Sequence, residues 1–451
     1  MLTQTSEISA VLTLPWLDSS TEPGEPAPMN SIRFLVVLVT ALSILPSEAF
    51  ALPHLDLDLS GAEYRQIQET RRLGRQTFEL PAPQSASSGQ LAPVLNAGKR
   101  NLDFLNHLNA RRPGMVPLSL SSPDSQMGFP VDSPRVFNVA IVLDGFSKLR
   151  AQLPASLAAI VLDGASFSDS PGVSDEDYVK AALQVDRLYQ LASRWLLLEP
   201  YLGQLAWRKK SDIRAYLSLS SDGDLPQKLS NFETLPGTDQ QKLLKQLYEL
   251  CFNDPALSDA RCQSELSAAR NAGMLRTFYS KHVPAASRLH SAFFAIPVSR
   301  SDVTWTSLDP STMSIPFADP RNDQILNFLR DNIEDEWKWN GWRLKLDFRP
   351  TWTWGMTHIE FQPGATPHVD GIGGSTITMD ANSPLTEYNV QWTIRHEFGH
   401  VLGFPDCYLE FWDGDQAAIV SYQLDVTNLM CSRRGRLQQK HFDELKRVYL
   451  K

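Results

Sequence analysis

The sequence predicts an α+β protein, with a mainly helical domain over about residues 175–310 and a smaller domain, 311–451, in which strands and helices alternate. Three observations carry this. Tyr178, Ala181, Ala182, Val185, Leu188 and Leu191 recur at steps of three and four, as do Leu243, Leu244, Leu247 and Leu250, which is how helices bury one stripe. Trp342, Leu344, Leu346 and Phe348 alternate with Arg343, Lys345 and Asp347, the period of a half-buried strand. Near the C-terminus two histidines four residues apart stand within a helical apolar pattern.

Composition sets the outer limits. The chain has 451 residues, 42% of them hydrophobic, enough to build cores for two or three domains and to exclude disorder throughout. Its 42 Lys+Arg against 51 Asp+Glu leave a net charge of -9, which offers no field for a phosphate backbone and argues against nucleic acid as a partner. Four cysteines are too few for a disulfide-dense scaffold.

From the N-terminus, residues 1–28 carry Glu7, Asp18, Glu22 and Glu25 and no Lys or Arg, and read as an upstream extension. Residues 29–51 read as a signal peptide. Arg33 supplies the positive start, residues 34–45 form an apolar run too short to span a bilayer, and Ala49-Phe50-Ala51 forms a small-x-small cleavage site. No Cys follows that site to take a lipid, so a soluble product without a membrane anchor, secreted or periplasmic and monomeric, is expected.

Residues 52–133 are broken by Pro81, Pro83, Pro93, Pro113, Pro117, Pro123 and Pro130, a composition of pro-segments and linkers. In 134–174, Ala140-Ile141-Val142-Leu143-Asp144-Gly145 nearly repeats as Ala159-Ile160-Val161-Leu162-Asp163-Gly164, which predicts a small strand-helix-strand unit. Export makes disulfides expected, and sequence proximity favours Cys251 with Cys262 and Cys407 with Cys431. In the last domain, strands are predicted at 312–317, 342–348, 357–361 and 375–379, a helix at 322–339, and a Gly-rich turn at 368–374.

The chemistry lies in His396-Glu397-x-x-His400, followed by Gly403 and Asp406. Residues i and i+4 of a helix share a face, so both imidazoles can bind one tetrahedral zinc. Glu397 falls about 100° round the helix, beside the metal and placed to act on its water. Val390, Ile394, Phe398 and Val401 fall on the opposite side and anchor the helix. Gly403 ends it in a left-handed turn, and Pro405 keeps it from resuming, so the chain can double back and bring Asp406 to the metal. Two imidazoles and one carboxylate leave a fourth position open, as catalytic rather than structural zinc sites do. Glu410, Asp413, His441 and Glu444 are alternative third ligands.

With Asn428-Leu429-Met430-Cys431 some 24 residues beyond Asp406, the C-terminal part resembles the metzincin metalloproteases, most closely the snapalysin family. The likeness rests on His396-Glu397-x-x-His400-Val401-Leu402-Gly403-x-Pro405-Asp406, on Tyr408 and on Leu429-Met430, and extends loosely to Asp370-Gly371 and Met379-Asp380. It implies a metzincin-like zincin catalytic domain: a twisted mixed sheet, an active-site helix, a Met-turn at Met430 forming an apolar floor, and a C-terminal helix. It also implies a preference for a large apolar residue just after the scissile bond. Where some metzincins place Tyr two residues past the Met, this chain has Ser432, which leaves Tyr408 or Tyr422 as the candidate transition-state donor.

The expected activity is therefore zinc-dependent hydrolysis of a protein or peptide substrate, with one catalytic Zn2+ and Glu397 as general base. A structural Ca2+ is left open. The rival readings are a zinc hydrolase of another amide, such as cell-wall peptide, and a non-catalytic binding protein keeping the fold.

Overall fold

The computed structural model describes residues 88–120 and 128–451, apart from 364, 366, 382 and 384, all within one contact unit, 55–451. The expected extension, the signal peptide and the first part of the expected linker lie outside the described residues.

The helical part begins earlier than its sequence suggests. Ser88–Ala110 (α1) is a long helix that holds Pro93 and buries Leu91, Val94, Phe104, Leu105 and Leu108. Asn101, also buried, donates from Nδ2 to the Ala182 carbonyl at 3.0 Å. Residues 88–110 are thus core rather than linker; the prolines around them mask a regular apolar period.

After the short strand Arg135–Phe137 (β1), the two apolar repeats expected as strands are helices, Val139–Gln152 (α2) and Ala155–Val161 (α3). The Asn138 side chain caps α2 by accepting from Ile141 N at 2.9 Å. Val142 and Leu149, seven residues apart, are buried from one face. A short apolar run fits a buried strand and a buried helix equally, and here the cap decides. Asp175–Leu198 (α4) completes this first cluster, which buries its Tyr178, Ala182, Val185 and Tyr189, and packs on α1 and α2.

Leu202–Arg208 (α5) leads to a second cluster built from Arg214–Ser221 (α6), Leu225–Ser230 (α7), Gly237–Phe252 (α8), Asp259–Asn271 (α9) and Leu275–Ala292 (α10). The expected disulfide Cys251–Cys262 joins α8 to α9.

The third cluster takes in Ile296, Val303 and Trp305, so its core starts ahead of the expected boundary at 311. Thr304–Thr306 (β2) pairs antiparallel with Asp309–Ala318 (β3). Asp323–Leu329 (α11) runs into a π-helical stretch, Arg330–Glu334. This helix is shorter than the expected 322–339, because Lys338–Trp339 (β4) turns back on Trp342–Arg349 (β5). β5 lies parallel to β3, with Ile315 opposite Leu346. A second sheet orders His358–Gln362 (β6), Thr376–Asp380 (β8) and His368–Val369 (β7), with β6 parallel and β7 antiparallel to β8. The two sheets meet where Ala318 N donates to the Thr357 carbonyl at 2.8 Å.

Tyr388–Val401 (α12) follows, then a hairpin of Tyr408–Asp413 (β9) and Ala418–Gln423 (β10), and lastly Gln439–Tyr449 (α13). β1 adds to the outer side of β10, so the hairpin belongs to a three-stranded sheet shared with the N-terminal half. The helices grip it further. Arg194 of α4 pairs with Glu410 of β9, their side chains 5% and 2% exposed. Lys209 Nζ reaches Asp413 Oδ1 at 2.9 Å, and Trp195 packs edge-on to Trp412. A buried charge is tolerated only when paired, so the Arg194–Glu410 contact fixes how hairpin and α4 meet. Among the described residues, no helix is long and apolar enough to cross a membrane.

Candidate metal centre

α12 carries the motif as its spacing requires. Val390, Ile394, Phe398 and Val401 are buried in the core, and His396, Glu397 and His400 are 3%, 5% and 2% exposed. Gly403 follows with φ +93, the left-handed conformation the turn needs, and its backbone passes so close to Val298 that a Cβ would lie 2.3 Å from the Val298 carbonyl oxygen.

The turn brings Asp406 back onto the helix face. Its Oδ1 lies 3.2 Å from His396 Nε2 and 3.3 Å from His400 Nε2, and the two Nε2 atoms are 3.1 Å apart. A tetrahedral ion with bonds of about 2.0–2.1 Å needs donors about 3.3–3.4 Å apart, so the triangle fits zinc to within a few tenths of an ångström. The far ring nitrogens fix the tautomers. His396 Nδ1 lies 3.0 Å from the Leu429 carbonyl and His400 Nδ1 2.8 Å from that of Phe404; a carbonyl only accepts, so each Nδ1 carries the proton. In the neutral rings both Nε2 lone pairs then converge with a carboxylate oxygen, an arrangement that calls for a cation. The His400 pKa reflects this: burial lowers it, but the adjacent Asp406 carboxylate outweighs burial and raises it above the ordinary imidazole value.

The rival third ligands are engaged elsewhere. Glu410 pairs with Arg194 and Asp413 with Lys209. Glu444 accepts from Ile296 N and pairs with Arg447. His441 accepts at Nδ1 from Gln438 N and lies 2.9 Å from Asn428 Oδ1 through Nε2. Among the described residues, His396, His400 and Asp406 are the one His/Cys/Asp/Glu group able to hold a metal ion.

Glu397 shows a different character. Its Oε2 is buried without a hydrogen-bond partner in the protein. Buried polar atoms are normally satisfied, so this carboxylate oxygen, one residue from His396, is open to a partner outside the chain.

Met430 lies directly beneath α12. A Cβ on Gly399 would stand 2.2 Å from its sulfur, so the helix rests on the methionine at the residue before His400. Gly399→Ala should therefore cost about 1–3 kcal/mol by overpacking and lower metal affinity; unchanged denaturant midpoint and zinc titration would contradict this contact. Cys407 and Cys431 form the second expected disulfide, and Cys407 N donates to the Met430 carbonyl at 3.1 Å, so the ligand turn and the methionine turn are tied twice.

Of the two tyrosines, Tyr422 is committed elsewhere. Its hydroxyl donates to Asp212 Oδ1 at 3.0 Å and accepts from Ile213 N at 3.2 Å, at the contact with the helices, which overturns it as a transition-state donor. Tyr408 opens β9, buried, two residues after Asp406.

Three further side chains support the site. Trp392 stacks on His396 with centroids 4.9 Å apart, and the fully buried Arg433 lies over the same indole at 5.8 Å. Trp392 precedes His396 by four residues, so the spacing that pairs the histidines would also have found it. The third is His441, which with Met430 N shares Asn428 Oδ1 and so braces the methionine turn.

Burial, helped by Lys440, holds the His441 imidazole down at about 4. In an unfolded chain it protonates below about pH 6.5, whereas the folded protein resists until about 4. Unfolded molecules thus bind more protons in that window, and stability should fall by about 3 kcal/mol as pH drops through it, then level off. Urea melts of metal-free protein and of His441→Gln across the window provide the check: the variant should lose part of the slope, and equal slopes would refute the effect.

No protein-family model matches this chain, and neither does any curated protein or any solved structure. The site therefore has to be read from its own geometry.

Proposed function

We propose that the protein is an exported zinc-dependent endopeptidase of metzincin type. The observation that carries this reading is the donor triangle of His396, His400 and Asp406, spaced for a tetrahedral ion, with the open Glu397 carboxylate oxygen next on the same helix. Two imidazoles and one carboxylate suit zinc, and three protein ligands are the number of a catalytic site. The two disulfides support an oxidising compartment.

When bound, zinc would acidify a water molecule and polarise the scissile carbonyl. The chain's own residues do the rest. The Leu429 and Phe404 carbonyls hold both imidazoles with Nε2 toward the ion. Glu397 takes the proton of the attacking water and passes it to the leaving amine. Met430 gives the site an apolar floor, and Tyr408 is the remaining candidate to support the developing oxyanion. β7 lies at the edge of its sheet, where an extended peptide can add by main-chain hydrogen bonds, which favours a peptide over other amides.

The test is casein hydrolysis by the purified protein before chelation, after chelation and after zinc is restored, beside a peptidoglycan digest. Casein cleavage that disappears and returns with zinc is the expected result. Cleavage of peptidoglycan alone would move the reading to a cell-wall amidase, and stoichiometric zinc with neither activity would point to a binding role.

A further inference from the structure

We propose that Trp352, Trp354 and Val298 form an apolar subsite for substrate side chains several residues from the scissile bond. The inference deepens the peptidase reading and rests on it.

These three residues are 52%, 92% and 52% exposed, unusual for side chains of this size and polarity. They come from two separate segments, the β5–β6 loop and the chain entering β2, and one guanidinium holds both segments to the turn between β7 and β8. Arg300 donates from Nη2 to the Gly355 carbonyl at 2.9 Å and from Nη1 to that of Gly374 at 2.6 Å. Asp302 neutralises it, with Nε to Oδ1 at 2.9 Å. Val298 reaches the same turn: a methyl group at Gly373 would lie 3.3 Å from its Cγ1. Trp352 is propped edge-on against His358 of β6, with centroids 6.1 Å apart.

The turn is anchored to the metal helix, because Gly373 N donates to the His400 carbonyl at 2.7 Å. The edge of β7, the last turn of the ligand helix and the segments that bear the exposed apolar residues are therefore joined through one turn. A peptide paired along β7 passes this turn at one end. Alternate side chains of a strand face the same way, so every second residue can be offered to the rings. The occupant that fits is an apolar or aromatic residue of the substrate, separate from the position just after the scissile bond. Continuity with the β7 edge favours it over a sugar or a lipid surface.

The experiment compares kcat/KM for peptides sharing one scissile core, extended on either flank by Phe-containing or by Gly-Ser segments. The wild-type ratio of apolar to Gly-Ser extension should be on the order of tenfold on one flank, the gain from burying one large ring. In Trp352→Ser/Trp354→Ser it should fall to about one. An unchanged ratio overturns the subsite. So does binding of zwitterionic vesicles or chito-oligosaccharide that the double variant loses while the peptide ratio stays the same. Tryptophan emission of Glu397→Gln titrated with the same peptides separates the two failures. Saturable quenching by Phe-extended peptides in a protein whose wild type cleaves nothing would sink the peptidase reading and leave the subsite. Cleavage with no dependence on the two tryptophans would do the reverse.

Discussion

Glu397→Gln is expected to keep its zinc and lose hydrolysis, with kcat reduced by about 10^2 to 10^4-fold, the range for removal of a general base. The substitution keeps the shape of a side chain that is 5% exposed, so packing of α12 should hold. Because Oε2 has no hydrogen-bond partner in the protein, the amide breaks no contact there. What disappears is a basic oxygen beside the metal triangle. Zinc content by atomic absorption and kcat on a peptide substrate check the two halves separately. Activity within a few-fold of wild type would remove Glu397 from its role, and loss of zinc would mean that it acts through the site's architecture.

Asp406→Ala should lower zinc affinity by more than about 100-fold, since even partners one step removed from a metal contribute 10–100-fold. Oδ1 is the vertex the two imidazoles share, at 3.2 and 3.3 Å, and the carboxylates that the sequence offers as alternative third ligands are engaged elsewhere. Glu410 is held by Arg194, Asp413 by Lys209 and Glu444 by Arg447 and the Ile296 amide. Competition with a chelating dye gives the affinity. A variant retaining zinc within tenfold would show that another ligand completes the site. A double variant, Asp406→Ala/Arg194→Met, would then ask whether Glu410, once released, is that ligand.

α12 and its His396, His400 and Asp406 cluster were legible because their logic is local: a one-turn spacing, a Gly at the turn and a carboxylate three residues further on. The alternation of Trp342, Leu344 and Leu346 was legible for the same reason, and the disulfides followed from proximity along the chain. Residues 140–145 and 159–161 are helical against the strand expectation, since a six-residue apolar run carries no period long enough to separate helix from strand, and Asn138 caps the first of them. α1 was hidden because Pro93 stands inside it and prolines surround it. The grip on the hairpin could not be read at all. Arg194 and Glu410 are 216 residues apart, and a charge that is buried looks, in sequence, like one that is solvated.

That grip bears on whether the N-terminal half could be shed in maturation. Cutting the chain ahead of Ile296 and releasing the helices would strip β1 from β10, leaving a bare strand edge able to pair with other molecules. It would also take from Glu410 the Arg194 guanidinium that pairs with it. The hairpin leaves and rejoins the metal site through Cys407 and Cys431, so the damage would begin one residue from Asp406 and one from Met430. The C-terminal part stripped of β1 and α4 should therefore precipitate rather than stay in solution.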